Sequence, residues 1–183
     1  MRALVRQADT YPAGVFGEIG SWDEITGVER KVFRAVGKAH VQTNLSIFTH
    51  TGIPGKSALE QLDILEDAGA DPKRVCIGHL GNLTDPNVYV HKTICRRGGF
   101  VGFDRQGGNG DANIVPLVRA LLDAGFADHI LISGDASRGY ARPVTNTVPK
   151  LKEAGVDDAT LQRIMRDNSR RFLAFVPKRP RRA

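Results

Sequence analysis

The chain has 183 residues, 41% of them hydrophobic and 25% charged, which is enough for one large domain with a substantial core and excludes general disorder. Its net charge of +6 does not make a case for nucleic-acid binding, because Lys178, Arg179, Arg181 and Arg182 in the terminal PKRPRRA segment supply four of those charges and leave the rest near +2. No apolar run approaches the length of a membrane span or a secretory signal, and Cys76 and Cys95 form neither a CxxC pair nor a disulfide pattern, so a cytoplasmic protein with packing cysteines is expected.

Short β-rich runs alternate with longer charged segments of helical apolar periodicity, the pattern of βα units whose helices cover a parallel sheet. The first strand is predicted over 15–18 (VFGE), followed by a helix over 28–42 in which Val32, Phe33, Val36 and Ala39 recur at helical spacing. The second, over 45–50 (LSIFTH), leads through a Gly/Pro loop to a helix over 58–68 that ends near Gly69, a residue suited to the left-handed conformation of a helix end. The third, over 74–79 (RVCIGH), precedes a helix opened by Pro86 and reaching toward Arg97. The fourth, over 99–104 (GFVGFD), is separated from a helix over 114–124 by a GGNG loop at 107–110 that lacks the lysine and hydroxyl residue of a phosphate loop. The fifth, over 129–135 (HILISGD), is followed by helices over 146–153 and 158–172, the latter capped by Asp157 or Asp158.

The polar strand ends Glu18, His50, His79, Asp104 and Asp135 recur at intervals of 32, 29, 25 and 31 residues, placing one polar side chain per βα unit at the rim where such folds collect ligands. A closed eight-stranded barrel needs roughly 250 residues, so five units read physically as an open parallel sheet. His50 and His79 offer imidazole nitrogens, and Glu18 or Asp135 a harder carboxylate, which together suit a zinc-type site. Each alone reads as readily as a turn or hydrogen-bonding residue. Asp135 would both bind metal and transfer a proton. Arg105 would either orient an oxygen-rich substrate or pair with a strand-end carboxylate such as Asp104. His40, His91 and His129 fall near a helix end, inside a helix and at a strand start, where packing or solvated roles are expected. The sequence has no GxSxG elbow and no GxGxxG fingerprint, and neither cysteine has a local base motif.

Five blocks, GVFGEIG at 14–20, SIFTHTG at 46–52, LEQLDILEDAGADPKRVCIGHLG at 59–81, GGFVGFDR at 98–105 and ILISGDAS at 130–137, together resemble the phosphotriesterase family of the amidohydrolase superfamily in order and spacing. The resemblance implies an α/β fold, an incomplete TIM-type (β/α) barrel with five parallel strands and surrounding helices, over 1–176, with 177–183 as a basic tail. It also implies a metal-dependent hydrolase of small-molecule esters (phosphotriester, lactone or carboxylester), acting through a metal-bridging hydroxide on a divalent metal, with zinc foremost and manganese or cobalt as alternatives. Glu18 matches the bridging position as in the glutamate-bridged phosphotriesterase-homology subgroup, and His50 and His79 match the metal ligands of the fifth and sixth family strands. Asp135 matches the eighth-strand aspartate that binds the other metal and handles a proton, and Arg105 a rim arginine of lactonase-like members. The family's first-strand HxH pair has no counterpart in the sequence. That absence carries a competing expectation: a catalytically inactive, metal-binding or structural remnant of a truncated protein, or a chain completed by a homo-oligomeric or complementing partner.

Overall fold

A computed structural model describes residues 1–10, 14–105, 113–135, 140–175 and 178. The GGNG stretch and the boundary expected at 176 lie outside the described residues.

Five strands, β1 (Val15–Ser21), β2 (Ser46–Thr51), β3 (Val75–Ile77), β4 (Phe100–Phe103) and β5 (Ile130–Ile132), form one sheet in sequence order. Every neighbouring pair is parallel. Helices α2 (Gly27–Thr43), α3 (Ala58–Asp67), α4 (Tyr89–Arg96) and α5 (Val115–Asp123) are the crossovers. The result is the expected incomplete TIM-type arrangement of five parallel strands with surrounding helices. Because strand side chains alternate between faces, the sheet carries two apolar layers. Ile47, Val75, Ile77, Val101 and Ile130 belong to a core with Phe33, Val36, Leu62 and Leu65 of the helices. Cys76, Phe100 and Leu131 form a separate cluster with Phe172, against which Val15 and Phe48 pack.

After β5 the chain enters α6 (Val148–Glu153) through a π-type turn at Pro143–Thr147. It then runs through α7 (Asp158–Gln162), a second π-type turn at Arg163–Asp167, and α8 (Asn168–Leu173), which together fill the predicted 158–172 helix. Asp157 caps it by accepting from Thr160 N–H at 2.8 Å. The far end of α8 closes the N-terminal rim of the sheet: Ser46 at the start of β2 donates its hydroxyl to the Phe172 carbonyl, and Arg74 donates to the Ala174 carbonyl. That leaves the C-terminal rim for polar chemistry.

Three differences from the sequence expectation have local causes. Arg2–Thr10 forms an additional helix, α1, that buries Val5 and Ala8. Pro86 opens only a 3₁₀ turn, because Asn87 (φ 60°) and Val88 (φ 54°) adopt left-handed backbone conformations; α4 starts afresh at Tyr89, with Asp85 Oδ2 accepting from Val90 N–H at 2.9 Å. Finally, β1 runs three residues past Glu18 and shifts register between Phe16 and Ile19, so Glu18 sits in a bulge within the strand, a device that re-aims a side chain. Among the described residues, no helix is long and apolar enough to cross a membrane.

Candidate metal centre

Three consecutive strands bring three potential ligands together. Glu18 from the β1 bulge, His50 near the end of β2 and His79 two residues beyond β3 each offer a ligand atom within 4.8 Å of the others. Glu18 Oε1 is 3.0 Å from His79 Nε2 and Glu18 Oε2 is 3.3 Å from His50 Nδ1, while the two imidazole nitrogens are 2.8 Å apart. The strands approach this closely only because glycine intervenes. A Cβ at Gly78 would lie 2.3 Å from the Thr49 carbonyl oxygen, and one at Gly20 would lie 2.9 Å from His50 Cβ.

Asp104, just past β4, fixes how His79 presents itself. Its carboxylate is buried and accepts twice from His79, from the backbone N–H at 3.0 Å and from the ring Nδ1–H. Since a carboxylate only accepts, Nδ1 of His79 carries the proton and Nε2 faces Glu18 and His50. Burial draws the imidazole pKa down, but the hydrogen bond and the charge of Asp104 outweigh it, and His79 sits above its ordinary value.

In neutral His79, Nε2 is a lone pair beside a carboxylate oxygen and a second imidazole. A divalent cation fits that set of one carboxylate oxygen and two imidazole nitrogens.

Asp135 reaches His79 from the opposite side of the ring. Its Oδ2 is 3.9 Å from His79 Nδ1 and accepts from Arg105 Nε–H at 3.0 Å. His79, Asp104 and Asp135 form a second group whose ligand atoms lie within 4.8 Å, although Nδ1 is already engaged by Asp104. His79 (φ 62°), Arg105 (φ 60°) and Asp135 (φ 42°) all adopt left-handed backbone conformations, which are sparsely populated outside glycine and cluster at functional sites.

The three remaining histidines are tied to backbone carbonyls and belong to neither group of candidate ligands. His40 Nδ1 pairs with the Leu45 carbonyl at 2.6 Å, His91 Nε2 with that of Leu80 at 2.9 Å, and His129 Nδ1 with that of Gly99 at 2.9 Å.

Two supports were not assigned from sequence. One is the Asp104–His79 pairing, since Asp104 read as a strand-end turn or a partner of Arg105. The other is a buried node behind His50, where Gln61 Nε2 donates to the His50 carbonyl and to Ser21 Oγ, each at 2.9 Å. The signal for Gln61 was a polar residue on the apolar face of α3 beside Ala58, Leu62 and Leu65.

Imidazole and carboxylate groups are thus gathered at the C-terminal rim of a parallel βα array, the edge at which (β/α) folds collect functional groups. Comparison with known proteins makes this specific: residues 7–173 match the phosphotriesterase family, and the chain belongs to that family. It is 34% identical over 87% of its length to the phosphotriesterase homology protein of Escherichia coli, covering 59% of that protein. It is 32% identical over 82% of its length to an aryldialkylphosphatase of Saccharolobus solfataricus, covering 54% of it. A crystal structure of the Escherichia coli phosphotriesterase homology protein, complexed with phosphate in its active site, superposes with a TM-score of 0.81 at 32% identity, over 88% of this chain and 60% of that one. A mutant of a Deinococcus radiodurans phosphotriesterase-like lactonase gives 0.78 at 28% identity, over 88% and 57%. The chain therefore spans between half and three-fifths of the length of these relatives.

Proposed function

We propose that the chain carries the ester-hydrolysing metal chemistry of its family, with Glu18, His50 and His79 as ligands of a divalent ion, zinc foremost. The observation that carries this reading is the convergence of a Glu18 oxygen and two imidazole nitrogens at 2.8–3.3 Å spacing, with Asp104 fixing the proton of His79 on the far side of its ring. When bound, such an ion polarises a scissile carbonyl or phosphoryl oxygen and acidifies water.

The remaining steps fall to the chain's own residues. Glu18 supplies the anionic ligand that offsets the cation's charge. Asp135 is the proton acceptor at the rim and serves as a further ligand where a second ion is present. Arg105, which Asp135 now holds, orients the substrate's oxygen. Relatives bearing phosphotriesterase and lactonase names support a small-molecule ester, phosphotriester, lactone or carboxylester, as the substrate class.

Zinc titration by calorimetry on the full chain, followed by lactone, aryl ester and phosphotriester assays, tests the reading. One ion per chain, lost in Glu18→Ala and His79→Ala, with measurable hydrolysis is expected. Stoichiometric zinc without hydrolysis would instead favour a metal-binding scaffold, a reading motivated by the absence of any HxH pair. No zinc uptake would overturn both.

A further inference from the structure

Trp22, the only tryptophan in the chain, follows directly on β1 and stands at the edge of the candidate metal centre. Its ring meets that of His50 edge to face, with centroids 5.8 Å apart and planes at 81°. Trp22 is nevertheless 69% exposed, and an exposed tryptophan in a defined orientation leaves a large apolar surface bare.

The orientation is set from below. Ser21 accepts from Gly52 N–H at 2.9 Å, which brings the backbone of residue 52 directly against the indole. A Cβ there would lie 2.8 Å from Trp22 Cα and 2.9 Å from Cε3, so only glycine admits the ring in this position. Gly52 thus lies close against Trp22, the His50 ring meets the indole edge to face, and the residue stays largely open to solvent. Ile53, 52% exposed, follows Gly52 in the same loop.

We propose that Trp22 is a specificity-determining residue: a platform on which an aromatic or planar apolar group of the substrate stacks while its ester centre lies at the Glu18–His50–His79 cluster. The inference rests on the proposed reading of that cluster as a metal-bound ester site and names the substrate class it favours, aryl over short alkyl. Stacking on an indole face is offset or edge-on and rewards an aryl group specifically, whereas an alkyl group of the same charge gains little.

The experiment uses the full chain loaded with zinc and two tetrahedral oxyanion probes of the same charge, phenylphosphonate and methylphosphonate. Binding is read by calorimetry and by the fluorescence of Trp22. Phenylphosphonate is expected to bind at least about tenfold tighter than methylphosphonate, an increment within the range of aromatic pairing, and to perturb the indole emission where methylphosphonate does not. Trp22→Ala should bring the phenyl-to-methyl ratio close to one, and Trp22→Phe should restore most of it. Equal affinity of the two probes for the unsubstituted chain, or a phenyl preference that survives Trp22→Ala, overturns the inference and leaves the metal site standing. Failure of both probes to bind to zinc-loaded protein overturns the ester-site reading, and the platform with it.

Discussion

Asp104 and Gly78 act on the same imidazole from different directions, one by chemistry and one by space. Asp104 holds the Nδ1 proton of His79, so Asp104→Ala frees the ring to rotate and to change tautomer. Loss of such an orienting partner costs roughly 10–100-fold in metal affinity, which zinc calorimetry on the variant would measure. Gly78→Ala would drive a methyl group against the Thr49 carbonyl and to 3.2 Å from Asp104 Oδ2. Overpacking of this kind costs about 1–3 kcal/mol, so a lower urea midpoint together with weakened zinc binding is expected. The sequence made His50 and His79 visible as polar ends of apolar runs, because that pattern is local. It could not reveal the partner of Asp104, since that pairing exists only once β3 and β4 lie side by side with Gly78 between them.

Helix α2 was legible from the helical spacing of Val32, Phe33, Val36 and Ala39, and its start is also fixed by chemistry that this spacing does not carry. Thr26 and Glu29 form a capping box at the start of α2: Thr26 Oγ1 accepts from Glu29 N–H at 3.3 Å, and Glu29 Oε2 accepts from Thr26 N–H at 2.7 Å. Thr26→Ala removes one half of it and should destabilise the chain by about 1 kcal/mol in urea titration. By contrast, α1 has no acidic residue in its first turn and no basic one in its last, and among its described side chains Val5 and Ala8 are the buried ones. Its helicity comes from packing against the rest of the chain, a tertiary cause that local patterning does not carry. The start of α4 was displaced from Pro86 to Tyr89 for a related reason. Proline fixes its own backbone, but nothing in the local sequence marks Val88, a β-branched residue, for a positive φ. The five strands were visible because each is an apolar run closed by a polar residue, even where only three residues are paired, as in β3 and β5.

At the scale of the whole molecule, buried histidines make stability depend on pH. Burial, the dominant influence, lowers His40 and His91 below their ordinary value of 6.5. The folded state thus prefers both neutral, and their contribution is present above pH 6.5 and is lost as pH falls through their folded values. His79 in the metal-free chain runs the other way: its raised value contributes below 6.5, and that contribution is lost as pH rises through the folded pKa. Between pH 7 and pH 5 the His40 and His91 contributions pull the urea midpoint of the metal-free chain down, against the pull of His79. His91→Gln, whose amide can still donate to the Leu80 carbonyl, should weaken that downward pull. A midpoint that rises on acidification would show that His79 dominates.

The order of the sheet also bears on how the chain comes off the ribosome. Each strand pairs with the one synthesised before it, and domains generally assemble from the N-terminal side during synthesis. Glu18, His50 and His79 come from the first three strands, so the full Glu–His–His cluster is available before β4 has emerged. Asp104, which fixes the proton of His79, arrives one βα unit later. Assembly in this order would set the tautomer of His79 last, after the strand that precedes Asp104 has docked.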